Sequence, residues 1–143
     1  MTMTRLINIY INDNHKHIDG FTELDIRALD TVVNCSVDHI YTNVLEQITP
    51  EQLSIILPKI MSKIRPGGLL TTEITNMKYV TRLYSMNSID DKDFLEYIKD
   101  KQMIISPEIL SLTIEQNNTF KVVQTVYADD QTSITISAQR NSL

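Results

Sequence analysis

The sequence predicts an α/β domain whose sheet is mostly parallel and closes with an antiparallel C-terminal hairpin. Three observations lead there. Short apolar or alternating runs separated by polar turns fill the first third of the chain. A well-capped amphipathic helix then runs directly into a strand. Near the C-terminus two alternating segments flank "ADDQ".

In chain order, "RLINIYI" at 5–11 alternates, turns apolar and ends at the polar group Asn12, Asp13, Asn14, which makes it a first strand. Gly20 precedes "FTELDI", a second strand with Phe21, Glu23 and Asp25 on one side and Thr22, Leu24 and Ile26 on the other. A third strand is short or degenerate and falls around "TVV" at 31–33. In "SVDHIYTNVL", Val37, Ile40 and Tyr41 have the character of a fourth strand, and residues 43–48 form a turn or one helical turn.

The strongest local signal is "TPEQLSIILPKIMSKIRPGG". Thr49 is an N-cap, Pro50 suits the first helical position, and Gln52 completes a capping box. Leu53, Ile56, Leu57, Ile60, Met61 and Ile64 make a continuous apolar stripe. Pro58 removes one backbone hydrogen bond and predicts a kink. Pro66, Gly67 and Gly68 are expected to stop the helix and turn the chain into the strand "LLTTEI" at 69–74, so the glycines are assigned no ligand.

Residues 77–100 read as two short amphipathic helices around "NSID", with Ser88 or Asp90 capping the second, in the position of a lid or substrate-side insertion. The methionines and tyrosines at 77, 79, 84 and 86 lie at helical spacing and read as core packing. Ser106, Pro107 and Glu108 open a last helix with Ile109, Leu110, Leu112 and Ile114 inward, closed by Asn117 and Asn118. The hairpin occupies 120–127 and 132–138.

With 143 residues, 42% of them hydrophobic, the chain is long enough for one domain over 1–143 with its own core. A net charge of −5 and no basic stripe argue against general nucleic-acid binding. No apolar run is long enough to cross a membrane, and the N-terminus lacks a signal peptide's apolar stretch, so a soluble, cytoplasmic protein is expected. Cys35 is the single cysteine and cannot form an internal disulfide. His15, His17 and His39 offer no metal-ligand spacing beyond the H-x-H at 15 and 17, which reads as a solvated turn, so no metal is expected.

Taken in order, "GFTELDI", "CSVDHIYTNVLEQI" and "LPKIMSKIRPGGLLTTEI" resemble the motifs of small class I S-adenosylmethionine-dependent methyltransferases. The resemblance covers most of residues 5–140. It implies a Rossmann-like sheet with a reduced N-terminal part, S-adenosylmethionine as cofactor, and a small-molecule or macromolecular methyl acceptor. It further implies that Asp25, at the end of the second strand, accepts hydrogen bonds from the cofactor ribose, as a carboxylate can for a diol. Asp30 falls near the adenine amino group. Asn43 and Glu46 follow the fourth strand, where the family brings the acceptor, with Glu46 as the base. The family's common histidine after Leu-Glu is here Gln47, which cannot act as a base.

The sequence departs from the family most at its start. The glycine-rich loop after the first strand is replaced by Asn12, Asp13, Asn14 and His15. Asn and Asp tolerate positive φ, so the turn can form, and Asn12 and Asp13 become the cofactor-contacting positions, with Asp13 able to meet the methionine ammonium. About five residues separate this turn from Gly20, so the family's first helix is shortened or absent. Two functions are open: a compact methyltransferase, or a noncatalytic subunit of the same fold whose uncovered apolar sheet surface drives association with itself or a larger partner.

Overall fold

The computed structural model describes residues 4–11 and 16–142. Six strands form one sheet: β1 (Leu6–Tyr10), β2 (Thr22–Asp25), β3 (Val37–Thr42), β4 (Ile64–Thr75), β5 (Phe120–Tyr127) and β6 (Ser133–Arg140), in the order β2-β1-β3-β4-β6-β5. β2, β1, β3 and β4 run parallel to one another, and β6 is antiparallel to both β4 and β5. The mostly parallel sheet with an antiparallel C-terminal pair is the architecture expected.

α1 (Pro50–Lys63) begins with the full capping box of Thr49 and Gln52 and continues through Pro58 as one helix. α2 (Met77–Ser85) and α3 (Asp91–Ile98) are capped by Asn76 and Asp90, so Asp90 rather than Ser88 starts the second of the pair. α4 (Pro107–Glu115) is capped by Ser106.

Three local expectations are corrected. No strand forms at 31–33; a 3₁₀ helix over Ile26–Thr31 takes its place, and Val32 turns inward to the core. β4 begins at Ile64, not after the glycines, because Val37 of β3 recruits Ile64 by backbone pairing before "RPGG" is reached. The register then steps from Val37↔Ile64 to His39↔Leu69, and Arg65 to Gly68 form the irregularity between. Gly67 has φ +82°, and a Cβ on Gly68 would lie 2.6 Å from Ile64 Cγ2 and 2.9 Å from the Asp38 carbonyl oxygen. In α4, Leu110 and Ile114 are buried but Ile109 and Leu112 are exposed, because this short helix has only one side against the hairpin.

The two faces of the sheet differ. On one, Ile7, Ile40, Leu70 and Ala138 form a cross-strand row, and Ile9, Thr42, Thr72 and Ile136 the next; all are buried. α1 and α4 add Leu57, Ile60, Leu110 and Ile114 to this core. Each such side chain withdrawn from water stabilises the fold by about 1.5–3 kcal/mol.

The other face carries the row Asn8, Tyr41, Thr71, Ser137 and the pairs Glu73–Thr135 and Thr75–Ser133. Its partners are polar. His39 Nε2 lies 2.7 Å from Thr71 Oγ1, Thr71 lies 3.2 Å from Ser137 Oγ, and Tyr41 OH donates to the Glu73 carboxylate. What crosses it is the β1–β2 connection: Lys16 Nζ donates to Glu73 at 3.0 Å, Asn8 Nδ2 donates to the Lys16 carbonyl at 2.7 Å, and the Phe21 ring stands edge-on to His39. Residues 16–21 contain no helix, and residues 12–15 of the same connection lie outside the described residues. The central positions of this face are mostly hydroxyls, amides and charged groups, and Leu6, Leu69 and Val126 are its apolar members among the described residues.

Among the described residues no helix is long and apolar enough to cross a membrane, and no group of three or more His, Cys, Asp or Glu is placed to hold a metal ion. His17 is instead hydrogen-bonded to Glu23 at 2.8 Å.

Candidate functional site

The carboxyl ends of the parallel strands point to one edge of the sheet, where a ligand can reach the loops that follow each strand. Two cavities open there. One, of about 630 Å³, lies between the end of β1, the 3₁₀ helix after β2, and α1; Ile11, Ile26, Asp30, Gln47, Gln52 and Ile56 are among its walls. The other, of about 220 Å³, lies beyond the end of β3 and is lined by Asn43, Glu46, Gln47, Glu73, Thr75 and the loop carrying Lys99, Asp100 and Lys101. Gln47 belongs to both.

Asp25 ends β2, as the sequence implies, and its carboxylate caps the following 3₁₀ helix. Oδ1 accepts from Arg27 N at 2.8 Å and Arg27 Nε at 3.0 Å, and Oδ2 accepts from Arg27 Nη2 at 2.6 Å. These hydrogen bonds favour the charged form and hold the Asp25 pKa down at about 2. A carboxylate has about four acceptor sites, so one remains for a further donor. Asp30 is mostly exposed and forms an ion pair with Lys59 at 3.4 Å across the mouth of the larger cavity. Asn12, Asp13, Asn14 and His15 lie outside the described residues.

Glu46 sits in a 3₁₀ turn over Leu45–Gln47, the single helical turn expected after the fourth strand, and is only 6% exposed. Oε1 accepts from Thr75 N at 2.9 Å and Thr75 Oγ1 at 3.2 Å. Oε2 is buried and has no hydrogen-bond partner among the described residues. Burial raises the Glu46 pKa, opposed by Lys101 and Thr75 and reinforced by Glu73. The Glu46 carbonyl also accepts from Gln102 N at 2.7 Å, which fastens the loop before α4 over the turn. The structure therefore brings Asn43 and Glu46 to one cavity and Asp30 to its neighbour, with Asp25 just before the helix that walls it.

Several members of the site were not legible in the sequence. Thr75, Glu73 and Lys101 reach Glu46 from distant segments, and no local pattern announces them. Arg27 was within reach, because a cation two residues past a strand-end aspartate can fold back on it.

No protein-family model matches the sequence, and no curated protein matches it significantly. Solved structures do match in fold. An S-adenosylmethionine-dependent methyltransferase of Archaeoglobus fulgidus aligns with TM-score 0.64 at 13% identity, covering 96% of this chain and 86% of that one. Another, of Thermotoga maritima, aligns with TM-score 0.61 at 16% identity over 99% of this chain and 84% of that one. A Bordetella parapertussis protein described as a possible exported protein aligns with TM-score 0.58 at 15% identity, and this chain spans only 42% of its length. The chain has the Rossmann-like fold of class I S-adenosylmethionine-dependent methyltransferases.

Proposed function

We propose that residues 1–143 form one methyltransferase-like domain that binds S-adenosylmethionine and transfers its methyl group to a small acceptor. The observation that carries this reading is the pair of adjoining cavities at the carboxyl ends of the strands, joined at Gln47. The larger is roomy enough for a nucleoside and offers apolar walls at Ile11, Ile26 and Ile56 beside polar groups at Asp30 and Gln52, so the residues present fit the adenosyl half of the cofactor. Asp25 would hold the ribose hydroxyls and Asp30 the adenine edge. Asn12 and Asp13 are assigned to the methionine end.

When bound, the cofactor supplies a methyl group activated on a sulfonium. The chain's own task is to place the acceptor and take its proton. Asn43 orients the acceptor from the end of β3. Glu46 is held by Thr75 through Oε1, and its Oε2, buried and unengaged among the described residues, is the oxygen left to take the proton. Gln47 separates cofactor from acceptor and moves no proton.

Calorimetric titration with S-adenosylhomocysteine tests the reading. Saturable binding that weakens at least tenfold in Asp25→Ala supports it, and no binding at millimolar ligand sinks it.

A second reading has its own support: Arg27 engages both oxygens of Asp25, and residues 16–21 carry no helix. On that reading the chain is a noncatalytic methyltransferase-fold subunit that associates with itself or a partner. Light scattering showing a strict monomer, together with cofactor binding, removes it.

A further inference from the structure

We propose that the cavity of about 220 Å³ beyond β3 recognises a small primary amine, with Glu46 as its counter-ion. This rests on the methyl-acceptor assignment of the cavity.

Glu46 is 6% exposed and both hydrogen bonds from Thr75 fall on Oε1, so Oε2 is left buried without a partner among the described residues. An unpaired buried carboxylate oxygen costs stability, and a hydrogen-bond donor brought by a ligand removes that cost. An ammonium brings three donors and the opposite charge.

Two other charged groups of the cavity wall, Glu73 and Lys101, already have partners. The second carboxylate of the cavity, Glu73, has a side chain 22% exposed, and its Oε2 is already met by Lys16 and Tyr41. Lys99 and Asp100 are exposed and offset one another at the rim. Lys101 acts on Glu46 through its charge, while its ammonium donates to the Tyr97 carbonyl and not to Glu46 Oε2. Glu46 is thus the buried wall carboxylate with an oxygen still open to a donor, whereas a carboxylate- or phosphate-bearing acceptor brings only acceptors to it.

Burial keeps the Glu46 carboxyl protonated to higher pH than an exposed glutamate. Binding an ammonium then exchanges one positive charge for another: the carboxylic proton leaves to solvent, and the carboxylate stays paired with the ligand. Up to one proton is released per amine bound.

The test is calorimetric titration of the full chain with n-propylamine and tyramine, and with propionate and 4-hydroxyphenylacetate as matched acids, in two buffers of different ionisation enthalpy. The proposal expects an amine to bind at least tenfold more tightly than its matched acid, with proton release. Glu46→Gln should remove that preference and the proton release. Lys99→Ala, which leaves Glu46 in place, should tighten amine binding about twofold by removing a rim cation. Equal binding of acid and amine, unchanged amine binding in Glu46→Gln, or no amine binding at millimolar concentration would overturn it. S-adenosylhomocysteine is titrated separately. Amine binding without cofactor binding removes the methyltransferase reading alone, whereas cofactor binding without amine preference removes this inference alone.

Discussion

The two faces of this sheet solve the same problem with opposite chemistry. On the face under α1 and α4, isoleucine, leucine and alanine interlock in cross-strand rows and exclude water. On the other face the alternate positions of the same strands carry Asn8, His39, Tyr41, Thr71, Glu73 and Ser137; His39, Thr71 and Ser137 are linked by hydrogen bonds, as are Tyr41 and Glu73, and Asn8 holds the β1–β2 connection that crosses them. A parallel sheet normally needs cover on both faces. Much of the second face is polar here, and the strand ends that carry the candidate site keep their order.

If stability resides on one face, substitutions should sort by face. Leu57→Ala, in the interlocked core, is expected to lower stability by about 2–5 kcal/mol, measured by urea unfolding. Gly68→Ala comes next, at about 1–3 kcal/mol, because the added Cβ meets the Asp38 and Arg65 carbonyl oxygens at 2.9 Å and neither backbone can withdraw without breaking the step between β3 and β4. Thr135→Val, on the polar face, should change stability by less than about 0.5 kcal/mol. A loss at Thr135 as large as that at Leu57 would show that something covers this face.

The two carboxylates of the site divide in the same way, one buried and one open, and pH separates them. Glu46 has a raised pKa when folded, so its contribution is fully present below the ordinary value of 4.5 and is lost as pH rises through the raised one. Thermal unfolding of Glu46→Gln should therefore show a flatter alkaline limb than the parent protein. Asp25 behaves oppositely: its contribution is present above its ordinary value of 3.8 and is lost as pH falls through about 2. Asp25→Asn should flatten the acid limb, and by a smaller amount, since the Arg27 pair is open to solvent.

Legibility followed the range of the interactions. Thr49, Pro50 and Gln52 announce α1 because a cap is a contact over three residues, and the hairpin around "ADDQ" is equally local. The start of β4 was hidden because Ile64 is claimed by Val37, far earlier in the chain, before the local stop signal at Pro66 can act. Glu46 could be proposed as a base from its motif, but its burial depends on Thr75 and on Gln102 folding back, which no local pattern records. The polar positions of the second face were written plainly in the alternation of Tyr41 with Ile40 and of Thr71 and Glu73 with Leu70 and Ile74, and Leu69, beside Leu70, breaks that alternation.

One measurement bears most directly on whether a sheet covered on one face still presents a cofactor site: titration of the intact protein with S-adenosylhomocysteine, followed by the same titration of Asp25→Ala. The structure leads to saturable binding in the first and at least a tenfold weaker affinity in the second, a difference of about 1.4 kcal/mol or more. No heat of binding at millimolar ligand, or equal affinity in both proteins, would contradict it.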